Sequence, residues 1–275
     1  MKRTRLLIAV AALASLLPFT GAVHGAAPVT APSGLKVAGT LTIGTNFGYP
    51  PMEDFTGANA TVPYGADIDL GRALAAKMGL KANFLNITDF GTIILGLQGH
   101  RFDIIMSSMN VTPARSKQVN FVPYFLAGQS IVVAKGNPKH IKTLADLSGQ
   151  AVAIQAGTTE VDAANAESAK LKAAGKPGIT VKVYQEDPTA LQQVGLGRVA
   201  AELTDYPVAV YYSTHFASRY QIAGQQYNAL PYGIAIRKTD PAILSAIQKA
   251  FKLVQKDGEY MKILKKYHLE QGALK

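Results

Sequence analysis

Phe102-Asp103-Ile104-Ile105-Met106 runs directly into Ser107-Ser108-Met109-Asn110-Val111-Thr112-Pro113-Ala114-Arg115. The first five residues form a short apolar run bounded by Gly99 and by small polar residues, the pattern of a parallel-sheet strand buried on both faces. The rest reads as a turn that delivers one arginine just beyond the strand's carboxyl end, where ligands of open α/β sheets bind. Guanidinium presents a rigid fork of donors that matches the two oxygens of a carboxylate, so Arg115 is a candidate anion-binding residue.

The flanking pattern repeats this logic. Leu41 to Thr45 reads as a strand, Ala66 to Leu80 as a helix closed by Gly79, Lys81 to Ile87 as a strand, and Phe90 to Leu97 as a helix. With Phe102 to Met106 as the third strand this is a βαβαβ unit, hence a parallel sheet covered by helices. A second series follows, with strands at Ser130 to Ala134, Ala151 to Ile154, Ile179 to Val183 and Val199 to Leu203. Its helices fall at Thr159 to Ala173, Pro188 to Leu196 and Pro207 to Ala217. Tyr232 to Arg237 and the helices Pro241 to Lys256 and Gly258 to Tyr267 are too few for a third domain and are expected to return to the first. The second domain is then an insertion joined by two strands, a hinged architecture.

Lys2, Arg3 and Arg5 precede the apolar Leu6 to Leu17 and the small residues Gly21 to Ala27, which reads as a secretory signal peptide cleaved near Gly25-Ala27. Its apolar part is shorter than the ~20 residues of a spanning helix, so no retained membrane anchor is expected. Removal of the three basic residues lowers the formal charge from +10 to +7. Residues 27–37, rich in small residues and proline, are expected to be a flexible tether.

The remaining basic residues are not concentrated. Lys249 to Lys266 alternates with apolar residues at helical spacing, the pattern of a solvated helix face, so nucleic-acid binding is not implied. The chain has no cysteine, which leaves its stability to apolar cores, and its five histidines lack ligand spacing, so no metal and no cofactor is implied. Gly195-Leu196-Gly197-Arg198-Val199-Ala200 fits G-x-G-x-x-A but follows a helix and precedes a strand, the reverse of a pyrophosphate cradle.

Gly65-Ala66-Asp67-Ile68-Asp69-Leu70, Ser107 to Thr112 with Arg115, Gly157-Thr158-Thr159, Gly197 to Ala201 with Asp205, and Tyr232 to Ile236 occur in an order and spacing that is specific taken together. On these motifs the chain, from about Leu41 to Tyr267, resembles the periplasmic solute-binding proteins of ABC importers, polar amino-acid-binding family. The resemblance implies an α/β, two-lobed periplasmic binding protein fold, with two parallel or mixed-sheet lobes joined by two hinge strands. Lobe 1 is expected at 38–125 and 234–275 and lobe 2 at 126–233, with hinge crossings near 126–130 and 229–233.

The same resemblance assigns roles. Arg115 takes the ligand α-carboxylate with backbone N–H groups near Asn110 and at Thr159; Asp205 takes the α-ammonium with the Ser108 carbonyl and the Asn110 side chain; Tyr49 and Phe90 sandwich the ligand side chain. Asn46, Ser107, Gln155 and Thr158 complete the expected site. Asn46 stands where relatives that hold cationic side chains carry aspartate, and Gln155 where glutamine-selective relatives carry lysine, which points to a neutral polar side chain. The implied partners are an amino-acid ligand and an inner-membrane ABC permease, with the protein periplasmic and monomeric. Two other classes stay open: a prephenate- or arogenate-type dehydratase with Glu160 or Glu53 as general acid, and a sensory partner of a chemoreceptor.

Overall fold

The computed structural model describes residues 27–56 and 61–274. The expected signal peptide lies outside them. The strands, in chain order, are β1 (Thr40–Thr45), β2 (Asp54–Thr56), β3 (Val62–Tyr64), β4 (Lys81–Asn86), β5 (Ile104–Ile105), β6 (Val119–Ala134), β7 (Ala151–Gln155), β8 (Thr180–Tyr184), β9 (Ala201–Asp205) and β10 (Tyr220–Arg237). The α-helices are α1 (Ala66–Lys77), α2 (Ile93–Gln98), α3 (Pro113–Gln118), α4 (Thr159–Ala173), α5 (Asp187–Gly195), α6 (Tyr206–His215), α7 (Pro241–Lys256) and α8 (Glu259–Lys266).

Eight strands form one sheet in the order β4-β1-β5-β10-β6-β9-β7-β8, and β2 and β3 form a separate antiparallel pair. The two halves of the sheet have the same plan. In one, β4, β1 and β5 are parallel and β10 lies antiparallel beside β5; in the other, β8, β7 and β9 are parallel and β6 lies antiparallel beside β9. The antiparallel strand of each half is thus one of two long strands that pair with each other through both halves. Their ladder shifts register between Ala223 and Tyr227, between Tyr227 and Leu230, and between Tyr232 and Gly233. These irregularities are where the ribbon bends between the two halves.

Several expectations change here. The strand expected at Ser130 is the second part of β6, which begins at Val119, and the strand expected at Tyr232 is the last part of β10, which begins at Tyr220. Pro123 and Pro231 make each run read as two elements, yet both stand in the antiparallel ribbon. The strand expected over Phe102–Met106 is regular only at Ile104–Ile105, although Asp103 N and Met106 N still donate to Thr42 O and Gly44 O of β1. Phe90 begins not an α-helix but a 3₁₀ turn, because the Asp89 carboxylate accepts from Gly91 N at 2.9 Å. The turn expected to carry Arg115 is the short helix α3, capped by Thr112, whose hydroxyl accepts from Arg115 N.

The segment expected as a flexible tether is anchored at two points. Val29 is buried and its N–H donates to Lys77 O, and Lys36 N donates to the Asp103 carboxylate at 2.7 Å. Helix α7 shows why the C-terminal part closes on the first half. Ile243, Ala246, Ile247, Ala250, Phe251 and Val254 recur at three- and four-residue spacing and are all buried. Arg237, at the end of β10, is buried but satisfied by Asp240 at 2.6 Å and by the carbonyls of Leu97 and Phe102. No helix of the described residues is long and apolar enough to cross a membrane.

Candidate functional site

The carboxyl ends of β1, β5, β7 and β9 face one narrow cavity of about 10 Å³ between the two halves of the sheet. It is lined by Asn46, Tyr49, Phe90, Ser107, Ser108 and Asn110 from one half and by Gln155, Thr158 and Asp205 from the other, all expected from the sequence. Glu53 and Glu160 line it as well. Two expected residues stand just behind this lining. Arg115 donates through Nη1 to Asn110 O at 2.8 Å and through Nη2 to Gly157 O at 3.0 Å, and Thr159 Oγ1 donates to Asn110 Oδ1 at 2.9 Å.

Each side chain is held for a reason that local structure supplies. Ser108 has φ +47, a left-handed backbone unusual for serine. Its N–H donates to Asp67 Oδ2 at 2.9 Å, and its hydroxyl and that of Ser107 donate to the two oxygens of Glu53. The Tyr124 hydroxyl donates to Asp67 from below. Burial, together with the adjacent Asp67 charge, pushes the Glu53 carboxyl well above the usual carboxylate range, and burial raises Asp67 to about 6. Glu53 and Asp67 therefore act as a buried brace under the Ser107-Ser108 loop. This gives the Gly65-Ala66-Asp67 motif a structural purpose.

The two halves of the site meet through side chains. Gln155 Nε2 donates to Asn46 Oδ1 at 2.7 Å, and the Tyr49 hydroxyl donates to Asp205 Oδ2 at 3.0 Å. Tyr49 thus contributes a hydroxyl as well as the expected ring. Phe90 is buried and the Arg115 guanidinium lies 5.5 Å from its ring centroid. Burial lowers the pKa of Arg115, yet it forms no ion pair among the described residues, and its fork of five N–H donors is only partly used. The N-terminus of the fifteen-residue α4 points at the same cavity through Thr158, adding partial positive charge beside Arg115.

Beneath the other side lies an acidic layer that periodicity does not mark. Thr204 Oγ1 donates to Asp187, the Tyr212 hydroxyl donates to the other Asp187 oxygen at 2.6 Å, and burial raises Asp187 to about 7. Glu202, wholly buried, has no donor on either oxygen among the described residues, and its pKa is pushed well up by burial and then by Asp187. Gln129 of β6 joins the hinge to the site: its Oε1 accepts from Asn228, and its Nε2 donates to Thr159 Oγ1. Gln129, Glu202 and Asp187 are no part of the site expected from the sequence, and tertiary packing buries all three.

A cation-forming side chain from one half and a carboxylate from the other, across a small polar cleft spanned by two long strands, define a two-lobed solute-binding protein of the periplasmic type. The chain belongs to the bacterial extracellular solute-binding proteins, family 3, whose sequence profile matches residues 41–270. It is 30% identical over 244 residues to the arginine-binding protein ArgT of Corynebacterium glutamicum, covering 88% of this chain and 79% of that protein. An ancestral arginine-binding protein bound to glutamine superimposes with a TM-score of 0.76 at 39% identity, covering 84% of this chain and 98% of the other. The ancestral amino-acid-binding protein AncCDT-1, a precursor of cyclohexadienyl dehydratase, superimposes with a TM-score of 0.74 at 38% identity, covering 83% and 95%.

Proposed function

We propose that this protein is the periplasmic substrate-binding component of an ABC importer, binding a polar amino acid with an uncharged side chain and delivering it to an inner-membrane permease. The observation that carries this reading is the placement of Arg115 and Asp205 on opposite sides of the cavity without an ion pair between them. A zwitterion supplies both missing charges at once, so lobe closure and ligand binding favour each other. Lobe 1 then comprises 38–125 and 234–275 and lobe 2 126–233, the chain crossing near 126–130 and 229–233. Export with cleavage near Gly25-Ala27 and action as a monomer complete the reading.

The preference for an uncharged side chain is supported by Asn46 and Gln155. Both are buried amides, and each has a backbone acceptor besides its partner, Ile87 O for Asn46 and Gln185 O for Gln155. A polar, uncharged group can replace the bond between them and satisfy both. The test is thermal unfolding of the mature protein, refolded to strip ligand, against a panel of amino acids, followed by calorimetry. A ligand at 100 times its Kd adds about 2.7 kcal/mol of stability. A rise with a neutral polar amino acid is expected, and no response to any α-amino acid refutes the reading.

Glu160, a buried acid in the cavity wall, favours a second reading as a dehydratase of a prephenate-like acid with Glu160 as general acid. Consumption of prephenate or arogenate by the purified protein decides between the two, since a receptor returns its ligand unchanged.

A further inference from the structure

The reading above leaves one feature of the cleft unused. Oε1 of Glu160 and Oδ1 of Asp205 are buried with no hydrogen-bond donor among the described residues, and the two residues, 2% and 3% exposed, both line the cavity wall. Burial and then the charge of Asp205 raise Glu160, which marks the two carboxyls as near neighbours. Two carboxylates this close and away from water do not both ionise, and one proton between them supplies the donor that both oxygens lack.

The surroundings assign that proton. Asp205 Oδ2 accepts from the Tyr49 hydroxyl, and the Tyr232 hydroxyl of β10 also favours its ionised form. Glu160 Oε2 has a 3.3 Å contact to Thr159 Oγ1, whose single proton has a shorter acceptor in Asn110 at 2.9 Å, and the help its anion receives from its own backbone N–H and from Thr158 is outweighed by burial and Asp205. Asp205 is the better-stabilised anion and Glu160 the weaker acid, which keeps the proton. Burial pushes Glu160 well above the usual carboxylate range, Asp205 adding to the effect, while Asp205 itself is raised to about 6.

The other ionisable groups facing the pair keep the proton in place. Asp187 of α5 acts on Asp205 as a like charge, Glu202 of β9 is pushed up by burial and then by Asp187 and Glu160, and Tyr227 of β10 is a phenol raised by burial and then by the pair. Asp162, on the same helix as Glu160, is felt by Arg115. Arg115, from α3, is the cation that faces the pair, but its bonded nitrogens rest on the carbonyls of Asn110 and Gly157.

We propose that Glu160 carries a proton shared with Asp205, and that this proton sets which side-chain charge the cleft accepts. An amino acid with a neutral side chain binds with the proton in place; one with a cationic side chain binds as the proton leaves to solvent. With the proton present, Arg115 and the carboxyl pair together carry no net charge, and a zwitterion with a neutral side chain adds none. A cationic side chain adds one positive charge, which ionisation of Glu160 cancels. This inference rests on the amino-acid-binding reading.

The test uses the mature, ligand-stripped protein. Calorimetry with L-glutamine and L-arginine between pH 5.5 and 8.5, in buffers of different ionisation enthalpy, counts protons. Arginine is expected to release about one, and its affinity relative to glutamine to rise by up to about tenfold per pH unit, glutamine releasing none. In Glu160→Gln the ratio of the two affinities is expected to become independent of pH. Carbon-13 carboxyl NMR of the unliganded protein is expected to show one carboxyl of the pair still protonated at neutral pH, with Asp205 moving down toward the ordinary range in Glu160→Gln. Arginine binding without proton release, glutamine binding with no arginine binding at any pH, or both carboxyls ionised below pH 5 overturns the proposal. If neither these two nor any other α-amino acid binds while the high-titrating carboxyl is present, the amino-acid reading falls, and the charge selection with it.

Discussion

Gly157→Ala separates the strain of a turn from the closure of the cleft. Gly157 has φ +76, and a Cβ there would lie 2.5 Å from Gly91 Cα and 2.9 Å from Gly91 N, in the opposite half of the molecule. Both are backbone atoms that cannot rotate away. Ordinary contact begins at 3.4 Å, so the halves must part here by about 0.9 Å. The bond from Arg115 Nη2 to Gly157 O, 3.0 Å long, then stretches to about 3.9 Å and is lost. A hydrogen bond to a charged group contributes about 1.5–3 kcal/mol, and partial loss of the nearby Asn110–Thr159 and Asn46–Gln155 bonds adds about 1. The expected loss of ligand affinity is about 2.5–4 kcal/mol, or roughly 60- to 700-fold in Kd by calorimetry. The left-handed backbone costs alanine about 1–2 kcal/mol in open and closed forms alike, so it lowers Tm without lowering affinity. Gly175→Ala is the control, since Gly175 has φ +72 with nothing within 4 Å. It is expected to lower Tm and leave Kd unchanged. Wild-type affinity in Gly157→Ala would refute the argument that closure brings these two backbones together on the ligand.

Arg115→Ala and Asp205→Ala are each expected to cost about 2–5 kcal/mol of binding in calorimetry, as truncation of one partner of a buried charge pair does; near-native affinity in both sinks the zwitterion clamp. Gly44→Ala would place a Cβ 2.6 Å from the Phe102 ring in the core beneath β1, and is expected to destabilise the fold by about 1–3 kcal/mol in denaturant titration. Burial raises Asp67 and Asp205 to about 6 and Asp187 to about 7. The folded protein therefore holds protons that the unfolded chain releases near pH 4, and this stabilisation, complete below about pH 4, is lost as pH rises through 6 to 7. The ligand-free protein is expected to melt at a higher temperature at pH 5 than at pH 8, and the reverse order contradicts the assignment of these carboxyls as buried acids.

The sequence by itself determined the alternation of strands and helices, because apolar periodicity reports which face of an element is buried. Helices α4 and α7 begin and end where composition and caps place them. It also marked Arg115, which follows an apolar strand at the end where a parallel sheet opens, while Asp205 came from the family resemblance. What it could not place was anything that depends on residues far apart in the chain. Pro123 and Pro231 look like breaks, and only the pairing of β6 with β10 shows that the chain runs through them as one ribbon. Glu53 and Glu160 stand out in the sequence only as candidate acids of an alternative enzyme and Asp67 only as part of a motif, while nothing there marks Asp187 and Glu202, because burial of a carboxylate leaves no periodic signature. Tertiary structure alone brought Glu160 against Asp205 and removed the water from both. The physical reason is that a pattern along the chain records the face a residue shares with its neighbours, whereas desolvation and charge coupling depend on which distant residues close over it.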